Sequence, residues 1–490
     1  MTEEHSLDEV FLRACKEHGN RRALVGDGEE LTYDQFAGRV RERAAALGEL
    51  LADDDRRVAI HAANSVDYLV SYYALVIDRR LPLLVDAQFG ALELQGIDDS
   101  CGVDVYLTDR PDAFPLPATT RTVPGSRLAL ATPVRPHPRP PAPEPHPATA
   151  TCRFTSGTTG APKCLEFSHA AIHSAARAWA DGTGLRAGDR VLCLAAFTNG
   201  LAFNTSLLPV FLTGAELHLY RGLPTSGGIT RALRRSRATR LVAFPLAYRL
   251  LTEAAEPDHA AFATVTRAIS AAAALDPAIR SAFHTRYGIQ IADYYGIAET
   301  GPCTFERDAH RTTGLGTPLP GVTLRIDADP AGRSQVHVRT ASMATRCLNV
   351  PGALEARTGP DGFYATGDTG SLDAGRLHIT GRIGGPINLA GRKIDPTEIE
   401  RVALALDGVL DCVCFADTDT RGETVLHLVL SGPRTPRRAE VVKVCQVGLA
   451  PYKVPGRVSV LEAIPRSSAG KVRLSELREL LRTGAPAHDR

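Results

Sequence analysis

Between residues 31 and 109 the chain alternates amphipathic stretches with short apolar runs, and this rhythm restricts the fold more than any other feature. RVRERAAALGELL and VDYLVSYYALVI carry apolar residues at helical spacing, whereas RVAIHA, LPLLVD and VDVYLTD have the length and content of strands. Strands separated by helices of this size read as βαβ units. An α/β fold with mostly parallel sheets follows. From about residue 190 to 380 the runs VLCLAAF, LVAF, VHV and LHI again alternate with helical stretches, which predicts a second α/β portion of the same large unit.

Residues 111–147 break the rhythm. They are crowded with proline, as in PVRPHPRPPAPEPHP, and read as an extended surface connection with neither sheet nor helix. A glycine cluster, Gly381 to Gly385, precedes a charged helix start at Asp395 to Arg401 and strand-like runs CVCFAD and TVLHLVL. The expected domains are therefore 1–383 and a small α+β domain, 384–490. A chain of 490 residues exceeds one ordinary core, in keeping with that division.

Charge and composition exclude several functions. With 44% hydrophobic and 23% charged residues the chain sits in the globular range, and no run of about 18 apolar residues escapes a charge, so no membrane span is expected. The start, MTEEHSLDEV, lacks the basic-then-apolar order of a secretory signal, which points to the cytoplasm. A formal net charge of +1 gives no bias toward nucleic acid or an anionic membrane. The arginine run at 231–240, RALRRSRATR, reads as a solvated helix face. The ten cysteines form no CxxC and read as buried reduced thiols, with Cys412 and Cys414 on one face of a strand. The histidines show no HExxH or finger spacing, and His169 with His173 reads as a helix surface pair; no transition metal is assigned.

The chemistry concentrates in Phe154 to Lys163, FTSGTTGAPK. Thr155, Ser156, Gly157, Thr158, Thr159 and Gly160 form a flexible loop after a strand, with Lys163 three residues on. Glycines permit close backbone approach, and hydroxyl and N–H groups can cradle phosphate oxygens. The spacing is not that of a P-loop. Further motifs follow in order: Ser168-His169, SAAAAL at 270–275, YYGIAETG at 294–301, GLGTPLPG at 314–321, YATGD at 364–368, GRIGGPINLAGRKIDPTEIE at 381–400 and PRSSAGK at 465–471.

Together these motifs resemble the acyl-adenylate-forming superfamily, which includes acyl-CoA synthetases, peptide-synthetase adenylation domains and luciferase-like enzymes, and most resemble its stand-alone aryl and acyl acid AMP ligases. The likeness spans nearly the whole chain from LTYDQF onward. It implies a large N-terminal domain with a small barrel-like part and a small mobile C-terminal domain. It also implies attack of a carboxylate on the α-phosphorus of ATP, giving acyl-AMP and pyrophosphate, then transfer to a thiol of CoA or a phosphopantetheinyl carrier protein. A carrier is expected as a separate protein, and the enzyme as a monomer or homodimer.

By the same resemblance Lys471 is the adenylation lysine, a mobile ammonium that offsets transition-state charge. Glu299 is suited to holding Mg²⁺. Tyr295, beside Gly296, offers a face for adenine, Asp368 can accept the ribose hydroxyls, and Arg382 adds a cation nearby. Gly384 occupies the hinge of the swinging domain.

The departures bear on the substrate. The hinge is glycine in place of Asp or Lys, and Asn388 replaces a lysine linked to the second step, which puts thioester formation in question more than adenylation. An acceptor other than a thiol, such as an amine, or activation of another oxyanion, therefore stands as the alternative; a non-catalytic nucleotide-binding homologue is a third reading. Ala271 and Ala272 replace the Gly-Gly of SGGAPL and predict a tighter pocket. Ala298 stands for threonine and Cys164 for glycine. The segment AAFTNGLAF at 195–203 carries neither the aspartate that would hold an α-ammonium nor a histidine gate, which argues against an α-amino acid. Asn199 has two readings: an amide against the ortho substituent of an aryl acid, or a strand-end residue satisfying the backbone.

Overall fold

A computed structural model describes residues 6–135, 141–155, 162–308, 311, 313–328, 334–382, 387–389, 392–418, 423–434, 436–465, 472 and 474–483. It divides into two compact units. The first comprises Met1–Ala87, Cys101–Phe154 and Cys164–Gly384; the second comprises Gln88–Ser100, Thr155–Lys163 and Gly385–Arg490.

In the first unit the alternation of helix and strand builds two large sheets. One has eight strands, with Leu81–Val85, Arg57–His61 and Val105–Thr108 parallel at its centre. These strands are apolar along almost their whole length because helices cover such sheets on both faces. The other sheet has nine strands. Ile291–Ile297, Arg267–Ser270, Arg240–Ala243, Arg190–Cys193, Glu216–Leu219 and Arg22–Gly26 lie side by side and parallel, and antiparallel strands finish both edges. A third sheet of four antiparallel strands, Thr323–Ala328, Ser334–Arg339, Tyr364–Asp373 and Arg376–Arg382, forms the smaller part of this unit.

The helix Val66–Ile77 is buried from Val66 to Val76, so its polar groups need internal partners. Each finds one. Arg43 binds Asp67 at 2.9 Å and the Ser71 hydroxyl at 2.8 Å; Tyr72 meets Thr151 at 2.9 Å, and the Tyr73 hydroxyl donates to the Leu207 carbonyl at 2.8 Å. The Tyr73 ring stacks on Phe11 with centroids 3.8 Å apart. This ties the helix Leu7–His18 into the core.

Three expectations are corrected. The proline-rich region is not all connection: Ala118–Thr122 and Ala129–Pro133 extend the eight-stranded sheet as an antiparallel edge pair. Their residues are mainly Thr, Ala and Leu, and the densest run of prolines follows them in the sequence. The arginine run crosses from the helix Ser226–Ser236 into a strand. Arg234 does lie exposed, paired with Asp258, but Arg240 is buried against Asp189 at 3.0 Å. His169 is half-buried and not a surface residue. Its Nδ1 accepts the Leu7 backbone N–H at 2.8 Å.

The second unit holds the sheet of Asp411–Thr418, Thr424–Ser431 and Arg457–Val460, packed by the helices Pro396–Leu404 and Arg438–Gly448. Asp395 caps the first of these helices through the Thr397 N–H. Cys412 and Cys414 both face its core, and all ten cysteines are free and buried. The upstream segment Gln88–Ser100 also belongs to this unit, which the sequence had placed within 1–383. One tie that holds it there is electrostatic. Lys453, 1% exposed, binds the carboxylates of both Glu93 and Glu398, which are themselves buried. Burial alone would lower the lysine's pKa, but the two carboxylates outweigh it and raise the value.

Two outcomes follow. Lys453→Met leaves two carboxylates buried without their cation, and should cost the second unit about 3–5 kcal/mol, read as lost hydrogen-exchange protection in Asp411–Thr418 and Thr424–Ser431. His169 cannot accept the Leu7 N–H once Nδ1 is protonated, and burial, only partly opposed by Asp8 and Glu9, lowers its pKa below 6.5. A depressed histidine stabilises the fold above its unfolded pKa and ceases to do so as pH falls through the folded value. The protection of amides in Leu7–His18, relative to their intrinsic exchange rates, should therefore fall between pH 7 and 5 by an amount corresponding to about 1 kcal/mol, and His169→Ala should remove that pH dependence.

Candidate active site

Four adjacent parallel strands of the nine-stranded sheet deliver their C-terminal ends to one edge. Beyond Arg190–Cys193 lies Asn199; beyond Arg267–Ser270 lie Ala271 and Ala272; beyond Ile291–Ile297 lie Ala298 and Glu299; Arg240–Ala243 runs between the first two. This edge is where open α/β sheets bind ligands, because loops there diverge and strand-end groups converge.

YYGIAETG folds as a hairpin: the strand Ile291–Ile297, a turn at 298–300 and the antiparallel strand Gly301–Phe305. Successive strand residues point to opposite faces. Tyr294 is therefore buried toward Trp179, 4.8 Å between centroids, with its hydroxyl accepting from Asn204 at 3.4 Å. Tyr295 points the other way and donates to Asp368 Oδ2 at 2.6 Å. Burial raises the Tyr295 pKa well above the ordinary value, so it remains a donor. Gly296 is required by space: a Cβ there would lie 2.6 Å from the Gly301 carbonyl and 2.7 Å from the Tyr294 hydroxyl.

Asp368 is 5% exposed, and its backbone N–H donates to the Thr366 hydroxyl at 3.0 Å. The antiparallel register sets Asp368 directly opposite Arg382. Three of the predicted nucleotide residues, Tyr295, Asp368 and Arg382, are thus neighbours although 87 positions separate the first from the last. Glu299 stands in the hairpin turn, its carbonyl accepting from the Ala344 N–H at 2.8 Å. Its Oε2 is buried without a hydrogen bond. That orphaned oxygen suits a hard cation such as Mg²⁺, and among the described residues no group of three His, Cys, Asp or Glu offers a fuller cage.

Thr155 ends the strand Thr149–Thr155 and Lys163 opens Lys163–Ser168, so both flanks of the predicted phosphate loop are strand ends. Ser156, Gly157, Thr158, Thr159 and Gly160, together with Gly384 and Lys471, lie outside the described residues. Asn388 is exposed on the short strand Ile387–Leu389.

The substrate positions divide. Asn199 caps the short helix that follows it, its side-chain oxygen accepting the Leu201 N–H at 2.8 Å. The backbone-satisfying reading thus describes its oxygen. Ala271 is buried in the main core, and Ala272 sits at φ 69°, in the left-handed region that favours glycine. The methyl groups are accommodated with backbone strain at one position.

Sequence reasoning missed Arg153, Asn204 and Tyr294's role as Asn204's partner. Arg153 is 2% exposed, its guanidinium over Phe203 at 4.2 Å and Phe167 at 4.7 Å. Its Nη2 donates to the Ala298 carbonyl at 3.2 Å. The available signal was a lone charge inside an otherwise uncharged strand, TATCRFT.

With this geometry in place, the comparisons with known proteins are specific. The AMP-binding enzyme family matches residues 11–344, and the AMP-binding enzyme C-terminal domain matches residues 398–471. The chain is 27% identical to a 3-[(3aS,4S,7aS)-7a-methyl-1,5-dioxo-octahydro-1H-inden-4-yl]propanoyl:CoA ligase of Mycobacterium tuberculosis, over 96% of this chain and 97% of the relative. It is 28% identical to a 4-chlorobenzoate–CoA ligase of an Arthrobacter species, over 94% and 92%. Among solved structures, a malonyl-CoA ligase complex with methylmalonyl-CoA and AMP superposes with a TM-score of 0.78 at 26% identity, over 92% of this chain and 97% of that one. The orphaned Glu299 oxygen, the Tyr295–Asp368 pair and the matched motifs agree, and the chain belongs to the AMP-binding enzyme family, as an AMP-forming ligase.

Proposed function

We propose that the protein adenylates a small carboxylic acid, an aryl acid by preference, and passes the acyl group to the thiol of CoA. The observation that carries the reading is the contact of Tyr295 with Asp368, next to Arg382 and on the same hairpin as Glu299. It gathers an aromatic face, a hydroxyl acceptor and a free carboxylate oxygen where sheet loops open, which is what a nucleoside polyphosphate needs. Relatives named as CoA ligases of a chlorobenzoate and of a ring-substituted propanoyl group support an organic acid and CoA as acceptor.

In the first step a carboxylate oxygen bonds to the α-phosphorus while the bond to the bridging oxygen breaks and pyrophosphate leaves. Tyr295 fixes the orientation of Asp368, and Asp368 orients the ribose so that attack is in line. Bound at Glu299, Mg²⁺ would supply neutralisation of phosphate charge. Lys471 offsets charge at the reacting oxygens. In the second step the thiol sulfur bonds to the acyl carbon, AMP leaves, and the thiol proton passes to solvent.

ATP–pyrophosphate exchange with a panel of aryl and alkyl acids tests the first step and identifies the acid. Lys471→Ala should reduce exchange about 100- to 1000-fold at unchanged fold. Asp368→Ala should act mainly on the ATP KM, and Tyr295→Phe should do the same more weakly. Exchange with no acid at all would sink the reading. Adding CoA to the active acid then tests the acceptor: a thioester supports the proposal, whereas an adenylate that accumulates and yields only to added amines favours capture by a non-thiol nucleophile, the reading that Asn388 motivates.

A further inference from the structure

Arg153 is a buried cation that forms no ion pair among the described residues. Burial is opposed first by Tyr294, then by Glu299, whose carboxylate makes no ion pair with it, and then by Tyr72 and Tyr68. Burial lowers its pKa to about 10, so it is still a cation at neutral pH. Of five guanidinium N–H donors, the one hydrogen bond to a described residue is that from Nη2 to the Ala298 carbonyl, and Nε is buried with no partner. The faces of Phe203 and Phe167 hold the plane of the fork without satisfying those donors.

The surroundings show where the fork is directed. A Cβ placed on Gly200 would lie 3.3 Å from Nη1 and 3.9 Å from the Asn204 amide nitrogen. Glycine at 200 therefore lets Nη1 come close to the backbone beside Asn199, while Nη2 reaches Ala298, two positions that the resemblance assigns to the acid. Nothing in an α/β fold requires a charge there, and a buried unpaired guanidinium is costly unless something pairs with it. A ligand carboxylate matches the fork geometry and would remove that cost.

The reacting carboxylate is a poor candidate for this partner. A two-point clamp by arginine would draw charge from the oxygen that must attack phosphorus and so weaken it as a nucleophile. We propose that Arg153 selects the substrate by pairing with a second carboxylate, so that the acid activated is a dicarboxylic acid of which one end is adenylated and the other is held by the guanidinium that Phe167 and Phe203 orient. This rests on the proposed adenylation.

The test compares phthalate, isophthalate, terephthalate, malonate, succinate and glutarate with their monomethyl esters, first by calorimetric binding to the intact protein without ATP and then by ATP–pyrophosphate exchange. One diacid should bind and react at least about 30-fold better than its half-ester. Arg153→Met should abolish that preference by bringing diacid binding and exchange to the level of the half-ester, and Arg153→Lys should restore it in part, with thermal melting confirming that the variants fold. Equal use of diacid and half-ester by the wild-type protein overturns the proposal, as does an Arg153→Met loss that is the same for both. Should Arg153→Met fail to fold, the wild-type ratio still decides. Diacid-selective binding without exchange would refute adenylation and leave the anion site standing; exchange without selectivity would do the reverse.

Discussion

Parallel strands with continuous apolar sequence must be covered on both faces, and the first unit is arranged around meeting that demand. Arg57–His61 is buried at every residue, and the helix Val66–Ile77 that follows is buried nearly all round. A fully buried helix must take its polar groups inside with it, so Arg43, Asp67, Ser71, Tyr72 and Tyr73 are all bonded internally. The same demand drives the helix Leu7–His18 onto the core through Phe11 and holds it there through His169.

Parallel pairing has a second consequence, because it sends all strand ends of one sense to one edge. That is why Asn199, Ala271, Ala272, Ala298 and Glu299, scattered over a hundred positions, share a rim. The hairpin at 291–305 adds direction. Alternation on its first strand sends Tyr294 to the buried side and Tyr295 to Asp368, while the absence of a side chain at Gly296 lets the two hairpin arms close. The antiparallel four-stranded sheet contributes Asp368 and Arg382 from facing positions of neighbouring strands.

Buried charge is the other theme, and the chain handles it in two ways. Lys453 lies between two carboxylates, an arrangement that is satisfied within the second unit. Arg153 has aromatic faces and one carbonyl, an arrangement that is not. Burial is equally deep in both, so the difference lies in partners. An ion with its counter-ions holds a fold together, and one without them is poised for a ligand.

Much of this protein was legible in its sequence. The helix and strand rhythm gave the α/β class, since periodicity of 3.6 or 2 is a local property that neighbours do not alter. The ordered motifs gave the family and the residue types of the nucleotide site, because backbone turns and phosphate chemistry restrict which residues can serve. Side-chain partners were decided by tertiary structure alone. No local pattern says that Tyr295 meets Asp368, that Asn199 spends its oxygen on a helix cap, that Lys453 reaches Glu93 across 360 positions, or that the threonine-rich stretch before the prolines joins a sheet. Those outcomes depend on which strands pair and in what register, and pairing is settled by burial over the whole chain.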